Sequence, residues 1–358
     1  GDVPVLLGGA ALNRSFVERD LRKRYPGPLY YGKNAFSGLD AMSRIAAGDP
    51  APDPAPDRPT RSRQRPRQGP IPSRAPSVDA TSPVFEPPFL GSRVVEGVPI
   101  DEIVPFVNET ALFRNQWQFR PDPGEGDTAF KQRLRPLMEE QVARAGDDDL
   151  LVPQVVYGYY PVGRDGDDLV VWTDETRSTE RTRFSFPRQR HDPWLCIADF
   201  FRDVDDERCD YAAFHIVTMG ERASRRAAAL FEKDRYTDYL LLHGLSVEMT
   251  EALAEMWHRH VRAEWGFGDE DGPTTGGLFR QQYRGGRFSW GYPACPDLED
   301  NERVAELLDA RRIGVTVGAA TGYQYQPEQT TSALIAHHPQ AKYFVARTAE
   351  EVRHADDG

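Results

Sequence analysis

Apolar and polar positions alternate with two different periods along this chain, and the switches between them mark its elements. The opening run Val3-Pro4-Val5-Leu6-Leu7-Gly8-Gly9-Ala10 is short, apolar and closed by glycines. Helical spacing follows from about Arg14 to Tyr25, then a second strand signal at Pro28-Leu29-Tyr30-Tyr31-Gly32, then a helix from about Ser37 to Ala47. This βαβα order is the grammar of a parallel sheet. Two strands bury little and leave open edges, so residues 1–47 read as the tail of a doubly wound α/β domain whose beginning is missing.

Residues 48–83 break both periods. Asp49-Pro50-Ala51-Pro52-Asp53-Pro54-Ala55-Pro56 is followed by arginine, serine and more proline, the composition of an extended, unpacked linker. Beyond it, Phe85 to Leu90 and Arg93-Val94-Val95 lead to a helix or turn at Asp101 to Thr110 and to a helix carrying Leu112, Phe113, Trp117 and Phe119. A further helix near Thr128 to Ala145 spaces Phe130, Leu134 and Met138 helically. Strands are expected at Leu151 to Tyr160 and Asp168 to Trp172, joined by a Gly163-Arg164-Asp165-Gly166 turn, and at Arg181 to Phe186 and Tyr211 to Thr218. The longest helical signal runs from Tyr236 to Trp265, with Leu242, Leu245, Met249, Leu253, Met256 and His260 on one face. Glu248, Glu251 and Glu255 form a second stripe, which by pattern alone is a solvated acidic face. A helix at Asn301 to Leu308, with Val304, Leu307 and Leu308 inward, and a strand at Val315 to Ala319 close the pattern. Helix and strand pieces in this order predict an α+β domain of mixed helix and antiparallel sheet over residues 84–358.

Composition narrows the function. The 56 acidic against 44 basic residues give a net charge of -12, without the basic excess that a phosphate-binding surface needs. The linker arginines are the one local exception, and solvation accounts for them equally well. Three widely separated cysteines, Cys196, Cys209 and Cys295, suit a reducing compartment and a cytoplasmic location rather than a disulfide framework or a zinc cluster. No apolar run approaches the roughly 18 residues of a membrane span. The chain begins with Gly1 directly before a strand-like segment, as a piece of a longer polypeptide would. Dinucleotide and Walker signatures are absent, and His258 and His260, two apart on a helix, point to different sides and do not share a metal.

One stretch is hard to explain by folding needs alone: Gly286-Arg287-Phe288-Ser289-Trp290-Gly291-Tyr292-Pro293-Ala294-Cys295-Pro296-Asp297. Arg287 offers a planar fork of donors suited to a carboxylate, Gly291 allows close approach, and Tyr292 is a flat ring with a polar tip. Such a set can hold a small zwitterion; a Pro/Gly turn between two helices is the alternative.

The run Arg287-x-x-x-Gly291-Tyr292-Pro293-Ala294-Cys295-Pro296-Asp297 resembles the signature loop of the activation domain of cobalamin-dependent methionine synthases. His337-His338-Pro339-Gln340-Ala341-Lys342-Tyr343-Phe344 resembles that family's Ser-His-Pro-x-x-Lys-Tyr-Tyr element, and Thr250-Glu251-Ala252-Leu253-Ala254-Glu255 resembles its ligand-binding helix. Gly8-Gly9-Ala10 and Lys33-Asn34-Ala35 resemble the end of the family's cobalamin-binding domain.

The resemblance implies that S-adenosylmethionine binds through Asn108, Glu251, Arg287, Ser289, Gly291, Tyr292, Tyr343 and Phe344. Arg287 would hold the carboxylate and Glu251 the positive end, while Ala35 would lie near the nucleotide tail of cobalamin. Asn108 stands where the family has an aspartate, an amide that accepts a hydrogen bond but carries no charge. The family's cobalt-ligating Asp-x-His-x-x-Gly motif is absent, so the cobalamin site is only partly contained here. The implied role is the reactivation module of a methyltransferase, remethylating its cob(II)alamin. Its partners would be the cobalamin-binding domain and a flavodoxin or flavin reductase. The homocysteine domain, with its zinc, and the folate domain are missing from the chain. The other reading is a free-standing S-adenosylmethionine-binding regulatory protein without catalysis. A weaker third, an arginine-rich scaffold, rests on the linker alone.

Overall fold

In the computed structural model the described residues are 3–8, 17, 21–22, 25, 27–32, 35–47 and 71–346. They fall into two compact units, divided within the Pro/Arg-rich stretch.

In the first unit, β1 (Val5–Gly8) and β2 (Leu29–Gly32) pair in parallel, with Val5 opposite Leu29 and Gly8 opposite Gly32. Helix α1 (Ala35–Ala47) follows. A Cβ on Gly32 would stand 3.2 Å from the Gly38 backbone, so two glycines let this helix approach its strand. Leu29, Tyr30 and Ala41 are buried. The βαβα expectation is met where it can be seen; the helix read at about Arg14 to Tyr25, together with Gly9-Ala10 and Lys33-Asn34, lies mostly or wholly outside the described residues.

The second unit is built on a seven-stranded, wholly antiparallel sheet, ordered β6-β5-β4-β7-β9-β8 with β3 also on β4. The chain runs β3 (Gly91–Glu96), α2 (Ile100–Ile103), a π-helical turn at Ala111–Gln116 and α3 (Asp127–Asp147). Next come β4 (Gln154–Asp165), β5 (Asp168–Trp172), β6 (Glu180–Ser185) and β7 (Asp210–Thr218). Then follow α4 (Glu221–Phe231), α5 (Tyr236–Glu264), α6 (Thr275–Phe279), β8 (Gly286–Phe288), α7 (Asp300–Leu308) and β9 (Thr330–Ala336).

Side-chain alternation along β4 and β7 fixes the layers. Val155, Tyr157, Tyr159, Ala213 and Val217 join the core beneath α5, whereas Val156, Tyr160, Val162, Phe214 and Ile216 join the core beneath α7. Both faces of the central strands are therefore covered, which is why these strands read as near-continuous apolar runs. The expected α+β class is what the structure shows.

Several boundaries move. The hairpin turn is Gly166-Asp167, with Asp165 opposite Asp168 and Gly166 at φ +64°, three residues beyond the start of the expected turn. Gly286–Phe288 is edge strand β8, so the shaped loop begins only at Ser289. The segment Val315 to Ala319 is not a strand; it contributes one isolated bridge, Thr316 to Gln326. Three strands are missing from the sequence reading: β3, β8 and β9, the last of which threads between β7 and β8. Along α5, Leu242, Leu245, Met249 and Leu253 are buried, but His260 is exposed. The buried stripe rotates toward Trp257, His258 and Val261, as a long helix crossing a twisted sheet requires.

The linker expected to end at Pro83 also needs correction. Residues 71–83 are packed on the second unit, with Ala75 and Val78 in the core. Arg74 donates to the Phe201 carbonyl at 2.9 Å, Ala75 N–H to Asp199 at 3.2 Å, and His338 Nε2 meets the Asp79 carbonyl at 2.8 Å. Proline-rich composition hides this because partners more than a hundred residues away supply the burial.

Candidate functional site

Three elements converge where the edge strand β8 meets α5. Arg287 pairs opposite Ile335 of β9, whose side chain belongs to the core beneath α5, so the guanidinium points toward that helix. Glu251 and Glu255 lie one turn apart on the helix and share the face it meets. Arg287 Nη2 stands 3.3 Å from Glu255 Oε2 and 4.0 Å from Glu251 Oε2. The side chains are 17 % exposed for Arg287, 12 % for Glu255 and 44 % for Glu251. The carboxylate stripe is therefore not a solvated face: Glu248 is buried as well, with Gln116 Nε2 donating to it at 3.3 Å.

The loop after β8 is held by its own backbone. Gly291 N–H donates to the Cys295 carbonyl and Cys295 N–H to the Tyr292 carbonyl, both at 2.9 Å, while Cys295 Sγ–H reaches the Ser289 carbonyl at 3.0 Å. Gly291 sits at φ +83°, and a Cβ there would come within 2.8 Å of Leu298 Cδ2, so the position requires glycine. The loop thereby presents Tyr292, 52 % exposed, beside Tyr343, 42 % exposed. Lys342 Nζ fastens the Tyr343 segment by donating to the Gln281 carbonyl at 3.2 Å. A cavity of about 450 Å³ adjoins the loop through Trp290 and Leu298, and Asn301, Thr330 and Ser332 line it; Arg287 and Glu251 do not.

Electrostatics tie the residues together. The Glu251 carboxylate, with partial burial, pushes the Tyr292 phenol up. Burial raises the Glu248 carboxyl to about 7 against the Gln116 hydrogen bond, and Glu251 adds to the rise. Behind Arg287, His215 of β7 and His258 of α5 are fully buried. Burial, and secondarily the Arg287 charge, lowers His215 to about 3; burial likewise holds His258 well below its usual range. Both imidazoles are neutral at physiological pH.

Glu248 yields a pH-dependent prediction. Its native carboxyl is raised above its ordinary 4.5, so the native state binds the proton better. The stability it contributes is complete below about pH 4.5 and is lost as pH rises through about 7. Glu248→Gln should stabilise the protein by roughly 3 kcal/mol at pH 8 and by less than about 1 kcal/mol at pH 5, in thermal melts at both pH values. Equal shifts at the two pH values would contradict this.

The other sequence-derived positions divide. Ser289 lends its carbonyl to the loop staple. Phe344 is buried against Phe200 and Phe288, so its ring serves the core. Asn108 is exposed and caps its helix, its Oδ1 accepting from Thr110 and Ala111 N–H at 3.2 Å. Glu109 is engaged with Arg135 at 3.0 Å and does not replace the missing aspartate charge. Ala35 starts α1 of the first unit. Sequence reasoning missed Glu255 as the nearer partner of Arg287; its spacing of four from Glu251 was the available signal. Among the described residues no cluster of His, Cys, Asp and Glu could hold a metal, and no helix is long and apolar enough to cross a membrane.

An arginine fork, carboxylates and exposed tyrosines thus lie together at a sheet edge, charges of both signs beside open ring faces. Residues 99–356 match the family described as "Vitamin B12 dependent methionine synthase, activation domain", and the chain belongs to that family. It is 39% identical over 380 residues to the methionine synthase of Mycobacterium tuberculosis and 38% identical over 382 residues to that of Mycobacterium leprae. Each alignment covers 95% of this chain, which spans about a third (32%) of the length of those relatives. The fold matches the crystal structure of the MetH reactivation domain bound to AdoHcy, with a TM-score of 0.68 and 24% identity over 78% of this chain and 88% of that one.

Proposed function

We propose that the second unit binds S-adenosylmethionine and presents it for the reductive remethylation of a methionine synthase's cobalamin, with electrons supplied by a flavodoxin or flavin reductase. The observation that carries this reading is the juxtaposition of Arg287 and the half-exposed Glu251 beside the Gly291–Tyr292 loop. The Arg287 fork suits the ligand's α-carboxylate, and Glu251 offsets its ammonium or sulfonium charge. The loop fixes the adenosyl group, with Tyr292 and Tyr343 available as exposed ring faces. The bound sulfonium supplies the methyl group. The residues contribute position and charge, and proximity and orientation do most of the work.

The cobalamin site is only partly contained in this chain. Residues 1–190 contain no histidine, and the Asp-x-His-x-x-Gly motif is absent from the chain, so the cobalt-ligating histidine of that motif is not supplied here. The cobalamin domain of the intact synthase is the proposed partner.

Calorimetric titration of the chain with S-adenosylmethionine tests the reading. Saturable one-to-one binding that weakens in Glu251→Gln is expected, and no binding by the folded chain would overturn it. Restoration of activity to an oxidised synthase lacking its own C-terminal region, with this chain added in trans, separates reactivation from a purely regulatory role.

A further inference from the structure

A largely buried guanidinium needs a counter-charge, and Arg287 has two carboxylates within reach. They are not equivalent. Glu255 makes the hydrogen bond, at 3.3 Å, and is almost fully withdrawn from solvent; Glu251, at 4.0 Å, is beyond hydrogen-bond distance and half open to water. His215 and His258, close behind, are neutral and supply no charge. Both ends of the short pair stand on rigid elements, Arg287 on β8 paired to β9 and Glu255 within the long helix α5.

We propose that Glu255 is the positioning residue that orients the Arg287 guanidinium toward a ligand carboxylate and so leaves Glu251 unengaged for the ligand's cationic end. This rests on the S-adenosylmethionine reading above. The contact uses Nη2 and one carboxylate oxygen, and the remaining donors of the fork are not spent on Glu255. Without Glu255, the nearest carboxylate for Arg287 is Glu251, one turn back on the same helix face. The arginine then turns to it, and the two groups the ligand requires neutralise each other.

The test titrates wild type, Glu255→Gln and Glu255→Asp with two probes: S-adenosylmethionine, and 5′-methylthioadenosine, which lacks the amino-acid end and the positive sulfur. Glu255→Gln is expected to weaken S-adenosylmethionine at least about tenfold while changing 5′-methylthioadenosine less than about twofold. Glu255→Asp keeps the charge but withdraws it by one methylene, so it should lose S-adenosylmethionine affinity by about three- to tenfold with the second probe unchanged. It carries the test should Glu255→Gln not fold. Parallel weakening of both probes would show a general structural role and overturn the assignment, as would wild-type affinities in both variants. Absence of S-adenosylmethionine binding by the wild-type chain would overturn the ligand reading, and this inference with it. Wild-type binding with indifferent variants overturns this inference alone.

Discussion

Arg287→Ala should weaken S-adenosylmethionine binding by roughly 30-fold to a few thousand-fold, since truncating one side of a hydrogen-bonded charge pair costs about 2–5 kcal/mol. Two losses combine in that figure. The ligand carboxylate loses its fork of donors, and Glu255, nearly buried, loses its counter-charge. Arg287→Lys should recover only part of the affinity, because an ammonium cannot hold Glu255 and a carboxylate in the same planar geometry. Titration calorimetry on the three proteins measures this. Affinity unchanged in Arg287→Ala would remove Arg287 from the site. His215 provides a control within the same molecule. Its imidazole titrates lower partly because of the Arg287 charge, so its pKa should rise in Arg287→Ala, as followed by NMR.

The second large effect lies away from the ligand. Asp199 is fully buried, and Arg188 donates to its two oxygens at 2.6 and 2.8 Å. The same carboxylate accepts from Ala75 N–H at 3.2 Å and Cys196 N–H at 3.1 Å, with Arg164 Nε 3.5 Å away. Removing one partner of a buried ion pair costs about 3–5 kcal/mol, and here Arg188 would keep only Asp167 and Arg164 only Asp203 as carboxylate partners. Asp199→Ala should therefore lower stability by about 3 kcal/mol in urea denaturation, with early proteolysis of residues 71–83. A loss below about 1 kcal/mol would show that Asp167 and Asp203 suffice for Arg188 and Arg164.

Asp199 also shows where sequence reading stops. Helix α5 was legible almost to the residue because its apolar period is local and sustained over eight turns. The signature loop was legible because its rare residue types occur in fixed order. Residues 71–83 were not: an Arg- and Pro-rich segment looks unpackable until a buried carboxylate more than a hundred residues later is placed beneath it. Strand β9 escaped because both of its faces are covered, so Thr330-Thr331-Ser332-Ala333-Leu334-Ile335-Ala336 shows no clean alternation. At the site, the stripe of glutamates was visible but its meaning was not. Glu248 meets Gln116 from more than a hundred residues away, and the preference of Arg287 for Glu255 depends on an edge strand 32 residues away. The candidate positions with local signatures, Arg287, Gly291 and Tyr292, could be named in advance; those defined by depth could not.

The sulfur staple inside the loop makes the protein its own reporter. Cys295 is buried with its thiol pushed well above the ordinary range, Cys196 is buried with its thiol raised to about 12, and Cys209 is half-buried at about 11. None carries appreciable thiolate at neutral pH, so alkylation of Cys295 must wait for the loop to lift from Ser289, and alkylation of Cys196 for the core to open. The three labelling rates form a clock with three hands. Cys209 keeps the time of the surface, Cys196 that of core opening, and Cys295 that of the loop after β8.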